Sequence, residues 1–314
     1  MKLSHWHKAR GDAVVFTHQA GRDLFEGDYD RVYGSAIFRF SAPKIARFLA
    51  DWPGAILGGT GGIGQMTVEE MIGVEAYEHY DYSLYPTFVP SIGFTQRGCR
   101  LSCKFCVVPA KEGKARATSS IAAIWRGEGH PRKLHLLDND FFGQDEEAWR
   151  ARIVEIRSGG FKVCLNQGIN VRHLSPAAAE ALATIEYRDD KFSERKLYTA
   201  WDNLKDEGVF FRGVAMLEAA GVPAKQLRAY MLVGWDKNET WERVHHRFDS
   251  MVARGIEPYP MVFDCRANDP ERYRGLKKFQ RWAVTGLYRA VPFSAYDANR
   301  RRAVTPRFSR EAML

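Results

Sequence analysis

The sequence predicts an α/β protein in which a partial (β/α)6 TIM-like barrel follows a smaller βαβ unit. Three observations carry that prediction. Six apolar, strand-prone segments recur near residues 92–96, 133–138, 161–166, 195–201, 226–233 and 259–264, separated by helical or polar stretches such as 176–185 and 240–254. Six such units in about 170 residues match the roughly 30-residue cycle of parallel β/α barrels, open or closed. Nearly every segment then ends on polar side chains: Asp138-Asn139-Asp140, Asn166-Gln167 with Arg172, Asp202-Asn203, Asp236 and Glu239, and Asp264-Cys265-Arg266. Carboxyl ends of parallel strands build active sites, so this series predicts one shared mouth.

Ahead of the barrel, residues 1–75 read as a small α/β unit. Ala13-Val14-Val15-Phe16 is an apolar run, and 31–38 is strand-like. Ser41 opens a helix-like run with Pro43 in its first turn, and Ala55-Ile56-Leu57 ends on glycines. Strand, helix, strand implies a parallel layer. Residues 76–92, with Tyr77, Tyr80, Tyr82, Tyr85, Pro86 and Pro90, read as a linker. The barrel is expected over 93–265, and a basic helical cap and tail over 266–314.

A chain of 314 residues, 45% apolar and 13% aromatic, can bury a large core, which excludes a disordered tail or a disulfide-stapled miniprotein. No apolar run approaches the roughly 20 residues of a membrane span, and MKLSHWHKARGD lacks the hydrophobic stretch of a signal peptide. A cytoplasmic protein without a membrane partner is therefore expected. The formal charge is +8, and from Arg266 onward there are twelve Lys/Arg against four Asp/Glu, so the excess is C-terminal. Such an end can contact the phosphates of a nucleic acid or be a solvated face.

Three of the five cysteines, Cys99, Cys103 and Cys106, form C-x3-C-x2-C directly after the first barrel segment. Three thiolates on one short loop point to a metal centre. A structural zinc ion would require a fourth protein ligand, ordinarily from a second paired motif, and neither Cys164, Cys265, His130 nor His135 is spaced as one. A [4Fe-4S] cluster held by three cysteines leaves one iron open, and thiolates suit iron–sulfur chemistry.

With Phe105 before the last cysteine and Arg97-Gly98 and Val107-Val108-Pro109 flanking the motif, residues 93–265 resemble the radical S-adenosylmethionine superfamily. The resemblance implies a [4Fe-4S] cluster on Cys99, Cys103 and Cys106, and S-adenosylmethionine bound to the open iron. It further implies a 5′-deoxyadenosyl radical formed by reductive cleavage, and an electron donor such as flavodoxin or ferredoxin. By position, Asp138, Asn139 and Asp140 replace the Gly-Gly-Glu that holds the methionine amino group in the family. Asn166, Gln167 and Arg172 stand where relatives bind ribose or carboxylate, Asp202 and Asn203 where ribose hydroxyls are held. Gly234 and Glu239 lie in the run 231–240, which resembles the segment that packs on adenine. For each, an ordinary cap or turn role is the competing reading.

Residues 29–62 resemble more loosely part of the flavodoxin-like domain that binds cobalamin in some relatives. Phe16-Thr17-His18-Gln19-Ala20-Gly21 keeps the histidine and last glycine of the cobalt-ligating loop without its aspartate, so a fold remnant without cobalamin is expected. Gly59-Thr60-Gly61-Gly62-Ile63-Gly64 matches a dinucleotide fingerprint, but no acid follows at the required distance, and a tight turn letting two domains approach is the preferred reading. Cys265 is a candidate catalytic hydrogen-atom donor or an inert core thiol. Trp282 among Lys277, Lys278 and Arg281 is a base-stacking candidate or a packing residue. The leading expectation is a radical enzyme acting on a nucleic-acid base or nucleotide, with peptide or small-molecule substrates open. The alternative is a nucleic-acid-binding protein with a structural iron–sulfur or zinc site.

Overall fold

The computed structural model describes residues 1–61, 66–74 and 77–297. Gly62, Ile63 and Gly64 of the glycine run, and the tail 300–314 with Arg300, Arg301 and Arg302, lie outside the described residues. The chain is an α/β protein built on parallel sheets. A small pair joins β1 (Tyr33–Ser35) to β2 (Ile56–Gly58) through the helix Ala42–Asp51, as the strand, helix, strand pattern predicts. The apolar run Ala13–Phe16 joins no sheet; the Phe16 ring packs on Tyr85 instead, with centroids 5.4 Å apart. The glycines after β2 serve this unit itself. A Cβ on Gly59 would stand 2.2 Å from the Ala36 carbonyl oxygen, and one on Gly61 2.5 Å from the Phe38 backbone.

The linker is tied down on both sides. Lys2, on the N-terminal helix Lys2–Lys8, bridges Glu69 and Glu78 at 2.8 Å each, Ser4 donates to Asp81 at 2.6 Å, and Ile92 N–H donates to the Tyr82 hydroxyl at 2.9 Å. Burial opposes the Glu69 charge, but the Lys2 ammonium overcomes it and the carboxyl falls below its usual range.

The main body carries two parallel sheets. In the first, β3 (Ser91–Gly93), β6 (Lys133–Leu136), β7 (Lys162–Leu165) and β8 (Glu186–Tyr187) lie in that spatial order. In the second, β10 (Leu227–Val233) lies between β9 (Leu197–Ala200) and β11 (Glu257–Val262). The sheets meet beyond β7, where Ile169 N–H donates to the Tyr198 carbonyl at 2.8 Å. Gly168 permits the approach: its φ is +89°, and a Cβ there would lie 2.8 Å from the Tyr198 carbonyl oxygen. A two-rung antiparallel ribbon, β4 (Gln96–Arg97) with β5 (Arg116–Ala117), completes the strands among the described residues.

One face of these strands is apolar. Leu134, Leu136, Val163, Leu197, Leu227, Ala229, Met231 and Val233 are fully buried in a core shared with the helices Glu146–Ser158, Pro176–Ala183, Glu207–Ala219, Trp241–Ala253 and Pro270–Val284. Burying each such side chain contributes roughly 1.5–3 kcal/mol. Ser175, Thr240 and Asp269 cap three of these helices, each accepting a backbone N–H three residues on. The strands alternate, so the other face is lined by His135, Cys164, Tyr198, Tyr230 and Tyr259. Tyr198 and Tyr230 stack with centroids 5.8 Å apart, and Phe192 packs edge-on to His135 at 4.9 Å. On the C-terminal helix, Leu276, Phe279 and Trp282 turn inward. Trp282 is 5% exposed and donates to the Val291 carbonyl at 2.7 Å, so packing accounts for it and the ring is not free to stack a base.

Lys2→Ala leaves two half-buried carboxylates without their shared cation. It should lower stability by roughly 2 kcal/mol and speed amide exchange in residues 2–8 and 77–82, seen by denaturant melts and exchange mass spectrometry. Unchanged exchange there would show that the helix is held by other contacts.

Candidate metal centre

The cysteine loop leaves the sheet after β3 and returns through the ribbon, so its two feet, Arg97 and Arg116, are directly paired. Gly98, at φ +74°, begins the excursion, and a Cβ there would sit 2.1 Å from the Lys114 carbonyl oxygen. Inside it, the Leu101 N–H donates to Cys99 Sγ at 3.4 Å, and the Val108 N–H faces Cys106. Burial pushes the Cys99 and Cys106 thiols above their ordinary range, and nearby thiols of the loop push them further.

Three consecutive residues after β6 grip this loop. Asp138 is fully buried; its Oδ1 accepts from the Thr95 N–H at 2.7 Å and the Gln96 N–H at 3.0 Å, and its Oδ2 accepts from the Thr95 hydroxyl. Burial pushes its carboxyl up to about 7 despite those donors. Asn139 donates to Glu112 at 2.8 Å, on the turn of helix that follows Cys106. Asp140 accepts from Arg100 Nε at 2.6 Å, in the middle of the loop, and burial raises its carboxyl against the pull of Arg100. Glu112 also accepts from the Gly98 N–H at 3.1 Å and pairs with Arg97 at 3.3 Å. Thus the strand end expected to touch a cofactor directly is occupied chiefly in holding the thiols' loop.

The other strand ends gather round it. Arg172 pairs with Asp206 at 2.8 Å and faces the Cys103 thiol; burial opposes its charge, and those two groups sustain it. Asp202, raised by burial, accepts from the Leu232 N–H at 2.9 Å and stands near enough to Cys106 to raise that thiol. Asn203 supplies its carbonyl to Trp201 Nε1 at 2.7 Å. Phe105 meets Trp235 edge-on, with centroids 6.1 Å apart. Asp140 thus reaches the cysteine loop through Arg100, and the charges of Arg172 and Asp202 are felt at Cys103 and Cys106.

The remaining expected residues are more peripheral. Asn166 Oδ1 hydrogen-bonds His135 Nδ1 at 2.9 Å, and Gln167 is exposed. Gly234 has φ +84° and would clash with Leu276 if it carried a Cβ. Glu239 is buried and paired with Arg247, whose side chain is fully buried and also donates to the Trp201 and Leu232 carbonyls at 2.9 Å each. Burial raises the Glu239 carboxyl. Cys265 lies in the core beside Gly234, and burial raises its thiol. Sequence reasoning passes over Arg247, Arg100 and Glu112. The signal for Arg247 is its helical spacing with Val244, Phe248 and Met251, which puts an arginine on an inward stripe.

Among the described residues, no three His, Cys, Asp or Glu side chains stand close enough together to hold a single metal ion. A cluster of four irons spreads its thiolates more widely than one ion does, and a three-cysteine loop with N–H groups aimed at sulfur is the donor chemistry such a cluster takes. Cys99, Cys103 and Cys106 therefore fit an iron–sulfur cluster in kind.

Asp138→Ala strands two backbone N–H groups and a hydroxyl, so it should cost about 3 kcal/mol, and Asp138→Asn, which keeps an acceptor at Oδ1, less. The folded protein holds the Asp138 proton more tightly than the unfolded chain, so this group's contribution to stability falls as pH rises from about 4 to about 7. Urea melts across that range should show the slope in the parent and a flatter profile in Asp138→Asn; equal slopes would remove Asp138 as its source.

No family model, curated protein or solved structure matches this chain.

Proposed function

We propose that the chain is a radical S-adenosylmethionine enzyme with a cytoplasmic-type, reduced thiol chemistry, built on a partial (β/α)6 barrel with a flavodoxin-like remnant in front of it. The observation that carries this reading is the convergence of strand-end groups from both sheets on a loop that bears three cysteines. Arg172 facing Cys103, Asp202 near Cys106 and Asp140 holding Arg100 are contributions from three different strands.

In this reading Cys99, Cys103 and Cys106 hold a [4Fe-4S] cluster, which when bound supplies one electron to the sulfonium of S-adenosylmethionine. The protein's own residues perform the rest by position and charge. Asp140 fixes Arg100 and so the spacing between Cys99 and Cys103. Arg172 gives Nη1 to Asp206 at 2.8 Å and Nε to Asn170 Oδ1 at 3.2 Å, so it contributes a fixed positive charge beside Cys103 rather than a free fork. Asp202 presents a second carboxylate oxygen for hydroxyl groups, its Oδ1 being engaged by Leu232. An external one-electron donor such as flavodoxin or ferredoxin is required, and cobalamin is not part of the proposal.

Anaerobic reconstitution should yield about four irons and four sulfides per chain, and reduction with S-adenosylmethionine should release 5′-deoxyadenosine. Cys103→Ala should abolish both. Asp140→Asn should retain the fold by circular dichroism but hold the cluster several-fold more weakly, because Arg100 loses its anchor. A chain that binds no iron and sulfide, or that binds them and never cleaves S-adenosylmethionine, would overturn the proposal.

A further inference from the structure

Formal charge is concentrated where the thiols are. Between Arg97 and Arg116 the chain carries six Lys/Arg and one acid, Glu112. Arg97 and Arg100 are spent on Glu112 and Asp140, and Arg116 leans on the Glu112 carbonyl. Lys104, Lys111 and Lys114 have no side-chain partner among the described residues, and Lys104, Lys114 and Arg116 are exposed. Unpaired ammonium groups on one short excursion repel each other, which costs stability unless an anion neutralises them. The same rim is aromatic. Phe105, next to Lys104, meets Trp235, and Trp235 packs edge-on against Phe263 at 4.7 Å; Trp235 and Phe263 each remain 37% exposed.

We infer that this rim is a binding surface for single-stranded nucleic acid, with Lys104, Lys111, Lys114 and Arg116 contacting phosphates and Trp235 and Phe263 offering ring faces to unstacked bases. Cations that track a backbone, interleaved with exposed rings, are the two ingredients of single-strand binding. An acidic protein partner would compete for the same cations, and the acidic-chain competitor in the test below separates it from a nucleic acid. The inference rests on the proposed reaction only in naming its substrate class: it would put a base beside the three thiols. It also moves the nucleic-acid surface from the C-terminal helix, where Trp282 is buried, to the cysteine loop.

The test is fluorescence anisotropy with labelled single-stranded RNA and DNA of about 15 nucleotides, a duplex of the same length, and poly-glutamate as an acidic-chain competitor. The full chain should bind at least one single strand more tightly than the duplex. The triple variant Lys104→Glu, Lys114→Glu, Arg116→Glu should lose at least about tenfold in affinity and about two units of the log–log salt slope. A control with the same charge change elsewhere, Lys162→Glu, Lys191→Glu, Lys225→Glu, should bind as the parent does. Trp235→Ala should weaken single-strand binding several-fold with its salt slope intact. Equal losses in the control, no effect of Trp235→Ala, or competition by poly-glutamate as strong as by the oligonucleotide would overturn the inference. Iron and sulfide measured on the same samples separate the two proposals: binding without a cluster leaves the surface standing and removes the radical reaction, and a cluster without binding does the reverse.

Discussion

The grip of Asp138, Asn139 and Asp140 on the cysteine loop is the constraint on which the rest of the site depends. Each residue holds a different part: the chain before the loop, the helical turn after it, and the arginine within it. Two of the three are carboxylates almost without solvent contact, so they are costly to leave unpaired and hold their partners firmly. Fixing the loop against the end of β6 ties the thiols to the same sheet edge that presents the other strand-end groups. Without that tie, a loop rich in cations and short of apolar anchors would have little to keep it folded against the body.

The second sheet contributes in a complementary way. A fully buried Arg247 links the ends of β9 and β10 through the Trp201 and Leu232 carbonyls, and Glu239 balances its charge. Position in the fold thus assigns these charges to support, whereas the charges of Arg172 and Asp202 are felt at the cysteine loop.

Much of this was legible in the residues. The six strand segments, the helices near 176–185 and 240–254 and the small parallel pair all form close to where periodicity and capping put them, because each has a strong local signal: Ser175 with Pro176, Thr240 ahead of an amphipathic stripe, Gly after a strand. The rule that strand carboxyl ends share a mouth singles out Arg172 and Asp202, whose charges are felt at Cys103 and Cys106. What was not legible depends on distant contacts. That Asp138 spends its oxygens on Thr95 and Gln96, about forty residues earlier, has no local signature. Trp282 reads equally as exposed or packed until the Val291 carbonyl is found against its indole. The charge of the cysteine loop was hidden by averaging, since acids elsewhere cancel it in the count over the first 265 residues.

The ribbon at the foot of the loop has a consequence for how the thiols come and go from any metal. Because Gln96 and Arg97 are laddered to Ala117 and Arg116, the two ends of the sulfur-bearing segment are joined by peptide hydrogen bonds and do not rely on a bound group to meet. Zinc fingers, whose folding is the metal-binding event, behave oppositely. Under the proposed reading, the ladder should keep the two ends of the loop together after loss of the inorganic centre.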